Sequence, residues 1–196
     1  RSTMTVLVTG ATGRIGSLVL DELLRAEASV RALVRQPEDA SLPIGVEVVA
    51  GDFTLPSSLD AVLDGVTAVF FVWTTTPAAA PAVIARIASH TRRVVYLSAP
   101  FRTPHPFFQQ PNPMRDLHAE VERLLANADL DVTILRPGMF ASNALHWWAP
   151  QIRKSDVVRW PYADVETAPV DERDLAAVAA RTLLDSRHAG GDYVLT

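Results

Sequence analysis

The feature that most constrains this chain is its first turn. Residues 4–9 (MTVLVT) form a short run rich in β-branched side chains, and Gly10-Ala11-Thr12-Gly13-Arg14-Ile15-Gly16 follows at once. Behind it Ile15, Leu18, Val19 and Leu23 repeat at helical spacing. A strand that turns on glycine straight into an amphipathic helix opens a parallel α/β unit. Its three glycines have separate tasks. Gly10 permits the tight turn, Gly13 lets backbone N–H groups approach a pyrophosphate, and Gly16 lets the helix pack closely on the strand. Such triplets also occur in purely structural turns, so the assignment rests on the strand before it and the helix after it. On that basis Gly10, Thr12, Gly13, Arg14, Ile15 and Gly16 are assigned to a dinucleotide.

The remaining pattern repeats the unit. Residues 29–34, 46–50, 67–72, 93–98, 131–135 and 192–196 read as strands, and residues 55–63, 77–89, 115–128 and 175–184 as helices. Between them, residues 99–113 carry Pro100, Pro104, Pro106, Pro111 and Pro113, which forbid regular structure and mark a long loop of the kind that borders a cleft. Parallel strands need crossover connections, so the alternation predicts a Rossmann-type, doubly wound α/β fold: a mostly parallel sheet with helices on both faces. One NAD(P)-binding domain is expected over residues 1–196. Ligands of such sheets sit at the carboxyl ends of the strands.

Composition removes several other functions. With no cysteine, thiolate metal sites and cysteine nucleophiles are excluded. A net charge of -4, with Arg92-Arg93 as a cluster too short to matter, gives no footprint for nucleic acid. Hydrophobic residues make up 48% of the chain, yet no apolar run approaches the ~18 residues of a membrane span. With no apolar leader-like stretch near residue 1, a cytoplasmic location and no membrane partner are expected. A homo-oligomer or a regulatory protein partner stays open.

Position then selects the site residues. A NAD-preferring site places Asp or Glu after the second strand, but here Val34 is followed by Arg35. A guanidinium suits a 2′-phosphate, and Arg14 can reach the same group, so NADP(H) is expected in preference to NAD(H). The alternative is a pair of solvent-exposed arginines. Asp52, followed by Phe53, ends the third strand and either accepts a bond from the adenine amino group or caps a turn. Val72, Trp73 and Thr74 after the fourth strand, Ser98 after the fifth, and Pro137, Gly138 and Met139 after the sixth complete the expected cofactor contacts.

Taken together, these residues resemble the NmrA-like branch of the atypical short-chain dehydrogenases/reductases. The resemblance rests on Val6 to Gly13, Val30 to Arg35, Gly51-Asp52-Phe53, His118 to Leu125, Thr133 to Phe140 with Asn143, and Val170 to Ala176. That group includes one type of bacterial NAD(P)H:quinone oxidoreductase, NADPH sensors and NmrA regulators. It implies that Arg35 selects NADPH, that Asp52 touches adenine, and that Thr133 to Phe140 lies beside the nicotinamide. It also implies a smaller substrate-covering segment after a strand like residues 192–196, a cover expected to be missing from these 196 residues. Ordinary members of the superfamily use Tyr-x-x-x-Lys. Here Lys154 is the only lysine, and Tyr96, Tyr162 and Tyr193 have no lysine four residues on.

Without that pair, hydride transfer must rely on positioning against an acceptor that needs little acid help, such as a quinone or another conjugated carbonyl. His118 and Ser98 are the candidate proton donors. His118 lies four residues before Glu122, so the carboxylate could orient the imidazole, although a surface His-Glu pair fits the spacing equally well. Two such ligands do not make a metal site, and none is expected. Phe140, Asn143 and Trp147 are assigned to a planar substrate, the alternative being ordinary core or a patch for the cover. An NADPH-dependent reductase and a non-catalytic NADP sensor of the regulator type are both compatible with these residues.

Overall fold

A computed structural model describes residues 4–100, 112–161 and 166–196. Most of the proline-rich stretch, with Pro104, Pro106 and Pro111, and also Tyr162, lie outside the described residues.

Seven strands form one sheet: β1 (Thr5–Val8), β2 (Ser29–Val34), β3 (Val46–Ala50), β4 (Ala68–Phe71), β5 (Arg93–Leu97), β6 (Asp131–Pro137) and β7 (Asp192–Leu195). Their order is β3-β2-β1-β4-β5-β6-β7, and every neighbouring pair is parallel. Because side chains alternate across a strand, each strand feeds two cores. Val6, Val8, Ala32 and Phe70 join a cluster with Val19 and Leu23 of α1 (Arg14–Arg25) and Leu175 and Leu183 of α7 (Glu172–Leu184). Leu7, Val69, Phe71 and Tyr96 face the other way, against α2 (Leu59–Leu63), α3 (Ala80–His90) and α4 (Pro113–Ala126) through Val62, Ile84 and Val121. The chain is doubly wound, as the alternation predicts.

Three local details differ from the sequence reading. The helix expected over residues 55–63 is a 3-10 turn, Pro56–Ser58, running into α2, and Pro77–Ala79 likewise precedes α3. Two short helices, α5 (Asn143–Trp147) and α6 (Ala149–Ile152), follow β6 where only a chain of site residues was expected. They bury no residue fully, so no apolar stripe marks them.

The sheet order reverses between β1 and β4, and Thr9 fastens that point. Its hydroxyl donates to the Phe70 carbonyl at 3.1 Å and accepts from the Val72 N–H at 2.8 Å. This ties the carboxyl ends of β1 and β4 together in one register at the switch point, beside which open α/β sheets bind ligands. No helix among the described residues is long and apolar enough to cross a membrane.

Candidate functional site

The Gly-rich turn has the geometry its spacing predicts. Gly10 lies at φ +63°, in the left-handed region, and its carbonyl accepts from the Gly13 N–H at 2.9 Å. A Cβ on Gly16 would stand 2.1 Å from the Gly10 carbonyl oxygen, so α1 rests directly on the turn backbone. The Gly13 amide is thus spent within the turn. The amides of Arg14, Ile15 and Gly16, which begin α1, have no acceptor inside the helix and are the donors an anion would meet.

Beside this turn a cavity of about 550 Å³ runs across the carboxyl ends of β1, β2 and β3 to the residues after β4. Of the expected cofactor residues, Gly10, Thr12, Gly13, Arg35, Asp52, Phe53 and Thr74 line it. Gln36, Asp39, Thr54 and Thr75 line it too and were not expected. The first three follow strands β2 and β3 by a few residues, so extending the search past the residue adjoining each strand would have found them. A cavity with Arg35 in its wall, beside a glycine turn whose helix-start amides point outward from α1, has the parts a dinucleotide needs.

Other expected contacts have a different place. Val72 packs on Gly10, with its Cβ 3.4 Å from where a Gly10 side chain would begin. Trp73 is buried at 5% exposure and stacks on Phe53 at 5.3 Å, so it backs the cavity wall through Phe53 and does not line the cavity. Asp52 caps a turn: Oδ1 accepts from the Thr54 N–H and the Thr54 hydroxyl, both at 2.8 Å. These bonds, the backbone one first, hold its carboxyl below the usual value, with the Arg35 charge adding a smaller pull. The turn-cap alternative is therefore realised, on a residue that also faces the cavity.

Arg14 needs correction. Its guanidinium does not join Arg35 in the cavity wall: Nη1 donates to Ser142 Oγ at 2.8 Å and Asn143 Oδ1 at 3.3 Å, and lies 3.5 Å from Glu172 Oε1. Ser142 in turn donates to Glu172 Oε1. Burial opposes the charge on Glu172, but the Ser142 hydroxyl, backbone N–H groups and Arg14 outweigh it and hold the carboxyl below its ordinary value.

Of the two candidate proton donors, Ser98 follows β5 and His118 lies in the first half of α4, each with a partner the spacing did not foretell. Glu122 does not serve His118. Both of its oxygens take bonds from Arg136, at 2.8 and 2.7 Å, and Oε1 also accepts the Ser98 hydroxyl proton. Arg136, only 4% exposed, reaches Asp192 as well at 2.8 and 3.0 Å and the Ala99 carbonyl at 3.1 Å. A bidentate guanidinium outcompetes a neutral imidazole for the carboxylate, which is why the i,i+4 expectation fails. Ser98 has given its single proton to Glu122, so towards any other group it accepts.

His118 has Tyr96 instead, with Nδ1 2.7 Å from the phenol oxygen. Burial pushes the Tyr96 hydroxyl above the ordinary phenol range and pulls His118 below 6.5, against the attraction of Glu122. The phenol is then protonated and the imidazole neutral at pH 7. Tyr96 donates to Nδ1, and the ring proton sits on Nε2.

After β6, Gly138 donates to the Leu195 carbonyl at 2.8 Å, and Met139 accepts from the Val170 N–H at 2.9 Å. These bonds place Pro137, Gly138 and Met139 at the carboxyl edge of the sheet. They lead through Phe140, half-buried and bridged to Val170, to α5 with Asn143 and Trp147. Trp147 stacks on Trp160 at 4.8 Å, and Trp148 meets Trp160 edge-on at 5.8 Å. Trp160 was not among the expected residues, since it lies beyond any recognisable element. Among the described residues there is no group of three or more His, Asp or Glu that could hold a metal ion.

Residues 10–186 match a protein family described as NAD(P)H-binding. A (4-alkanoyl-5-oxo-2,5-dihydrofuran-3-yl)methyl phosphate reductase from Streptomyces griseus is 38% identical over 194 residues, covering 97% of this chain and 67% of that protein. Among solved structures, a triphenylmethane reductase from Citrobacter sp. superposes with a TM-score of 0.86 at 23% identity, over 97% of this chain and 68% of that one. The NADPH-dependent quinone oxidoreductase of Escherichia coli, complexed with NADPH, gives 0.82 at 26% identity, over 96% and 68%. The chain thus spans about two thirds of the length of these similar proteins.

Proposed function

This chain belongs to the NAD(P)H-binding family, and from that premise we propose that it is an NADPH-dependent reductase of conjugated carbonyl compounds, quinones among them. The carrying observation is Arg35 in the wall of the dinucleotide cavity, at the position where a NAD-preferring site holds a carboxylate. Asp39 lines the same cavity and can accept a ribose hydroxyl, so NADH is a weaker alternative, not an excluded one. The dihydrofuranone phosphate named for the Streptomyces griseus relative and the quinone named for the Escherichia coli one are both conjugated carbonyls, which supports this acceptor class.

The dinucleotide, when bound, supplies a hydride. The chain's own residues do the rest: the turn of Gly10 to Gly16 and the start of α1 receive the pyrophosphate, and Arg35 receives the 2′-phosphate. Residues 137–140 border the reacting end. His118, neutral and with its proton on Nε2, is the group assigned to hold the acceptor oxygen in line by donating a hydrogen bond to the charge that develops there, while the proton the product finally takes comes from solvent.

The test mixes the protein with NADPH and a panel of quinones and follows loss of reduced-nicotinamide absorbance. Turnover is expected with at least one acceptor, and His118→Ala should lower it while NADPH affinity stays the same. Tight NADPH binding with no oxidation by any acceptor would replace this reading with that of a redox sensor.

A further inference from the structure

The Gly-rich turn and the acceptor-side segment belong to distant parts of the chain, yet one guanidinium joins them. We propose that Arg14, Ser142 and Glu172 form a positioning latch that seats α5 on the start of α1 and so holds the acceptor residues in register with the dinucleotide. The inference rests on the reductase reading only in calling Asn143 and Trp147 acceptor residues.

The geometry has a definite polarity. Glu172, 7% exposed at the start of α7, is the fixed anchor, and α7 packs on α1 through the core around Val19 and Leu175. Ser142 Oγ gives its proton to Glu172 Oε1 and accepts one from Arg14 Nη1 at 2.8 Å, so both its hydrogen-bonding roles are used. Arg14 adds Asn143 Oδ1 at 3.3 Å, the first residue of α5. Among the described residues, other contacts that bear on α5 include the Trp147–Trp160 stack at 4.8 Å and the bond from the Ala141 N–H to the Val170 carbonyl at 2.9 Å, and neither fixes the start of the helix. The helix has five residues, none fully buried, and no side-chain cap at its start. Five residues are too few for a helix to hold itself. Its position must come from contacts at its ends, and the latch supplies one end. Arg14 is also the residue that follows Gly13, so any shift of α1 when a pyrophosphate settles on its amides is passed directly to Ser142.

A latch predicts a response in α5 that a surface ion pair does not. Amide hydrogen exchange of α5 should be measured in the whole chain, without ligand and with NADPH, for wild type, Ser142→Ala, Arg14→Gln and the double variant. The amides of Leu145 and Trp148, bonded to the Ser142 and Ala144 carbonyls at 3.0 and 2.9 Å, report the segment. Each single substitution should speed their exchange by about fivefold, and the double variant by no more than either single one, because all three residues act as one unit. Ser142→Ala should raise the KM for the quinone about fivefold while the NADPH Kd stays within about twofold. Arg14→Lys keeps a cation near Glu172 and should recover part of the protection. Exchange in α5 that is the same in wild type and both single variants overturns the latch. So does full additivity in the double variant. If no quinone oxidises NADPH, the reductase reading fails by itself, and the exchange data still decide the latch.

Discussion

The hydroxyl of Tyr96 lies 2.7 Å from Nδ1 of His118, joining the middle of the sheet to the first half of α4. Tyr96 is fully buried, so its proton has one place to go among the described residues, and this bond sets which ring nitrogen of His118 carries hydrogen.

That tautomer makes stability depend on pH in a stated direction. Burial lowers the pKa of His118 from 6.5, so folding favours the neutral ring. The stabilisation is complete above about pH 6.5 and is lost as pH falls through the lower folded value. His118→Asn, whose side-chain oxygen can still accept from Tyr96 but cannot titrate, should show a shallower loss of stability as pH falls below about 6.5 than wild type. Urea midpoints at a series of pH values test this. Parallel curves for the two proteins would mean that folding does not shift the pKa of the ring.

Arg35 is expected to separate the two cofactors. Its guanidinium can make charge-assisted bonds to a 2′-phosphate and has nothing comparable to grip on NADH. Arg35→Ala should weaken NADPH binding by about 10- to 100-fold and leave NADH nearly unchanged, as read by fluorescence or calorimetric titration. Equal losses for both cofactors would remove Arg35 from the site.

Two glycines three residues apart should fail in different ways. In an exposed helix, Gly→Ala ordinarily stabilises by about 1 kcal/mol. At Gly16 the sign reverses, because the new Cβ would meet the Gly10 carbonyl oxygen at 2.1 Å, and that oxygen belongs to backbone that cannot swing aside. Gly16→Ala should cost about 3 kcal/mol or more. At Gly13 the same contact is 3.1 Å, which a shift of a few tenths of an ångström relieves. Gly13→Val should therefore stay folded while losing dinucleotide binding, since the branched side chain stands over the helix-start amides. Circular dichroism with heating separates the two outcomes, and cofactor titration of folded Gly13→Val decides whether the turn is more than structural.

What was legible in the sequence was local. The turn geometry of Gly10 to Gly16, the strand alternation of residues such as Val6, Leu7 and Val8, and the place of Arg35 in the cavity wall directly after β2 all follow from a few neighbouring residues. Arg14 and Arg136 could not be read that way. Arg14 meets partners 128 and 158 residues away, and Arg136 joins Glu122 to Asp192, 56 residues on. Only the folded chain brings these groups together, and the spacing of His118 and Glu122 misled because a stronger cation stood on the neighbouring strand. The short helices α5 and α6 escaped because too few residues carry no period. Trp160 escaped because it has no element at all.

Arg136 offers the most demanding test of the core. Its side chain is 5% exposed and lies between Glu122 and Asp192, themselves 21% and 18% exposed, with hydrogen bonds to both carboxylates. Those bonds hold its charge more firmly than usual against the cost of burial. Removing the cation would leave two carboxylates with much of their solvation gone, and breaking such a buried arrangement costs about 3–5 kcal/mol. Arg136→Met, which keeps the length of the side chain, should lower stability by that amount. Arg136→Lys should fall between, because one ammonium cannot fork onto two carboxylates at once. Glu122 would also lose the partner that orients it towards Ser98, so in Arg136→Met the end of β5 should loosen before the rest of the sheet. Urea unfolding at pH 7 gives the free energies, and amide exchange at Ser98, whose N–H donates to the Leu135 carbonyl at 2.8 Å, reports the local change. An Arg136→Met protein within about 1 kcal/mol of wild type would mean that the three charges are solvated well enough to do without one another.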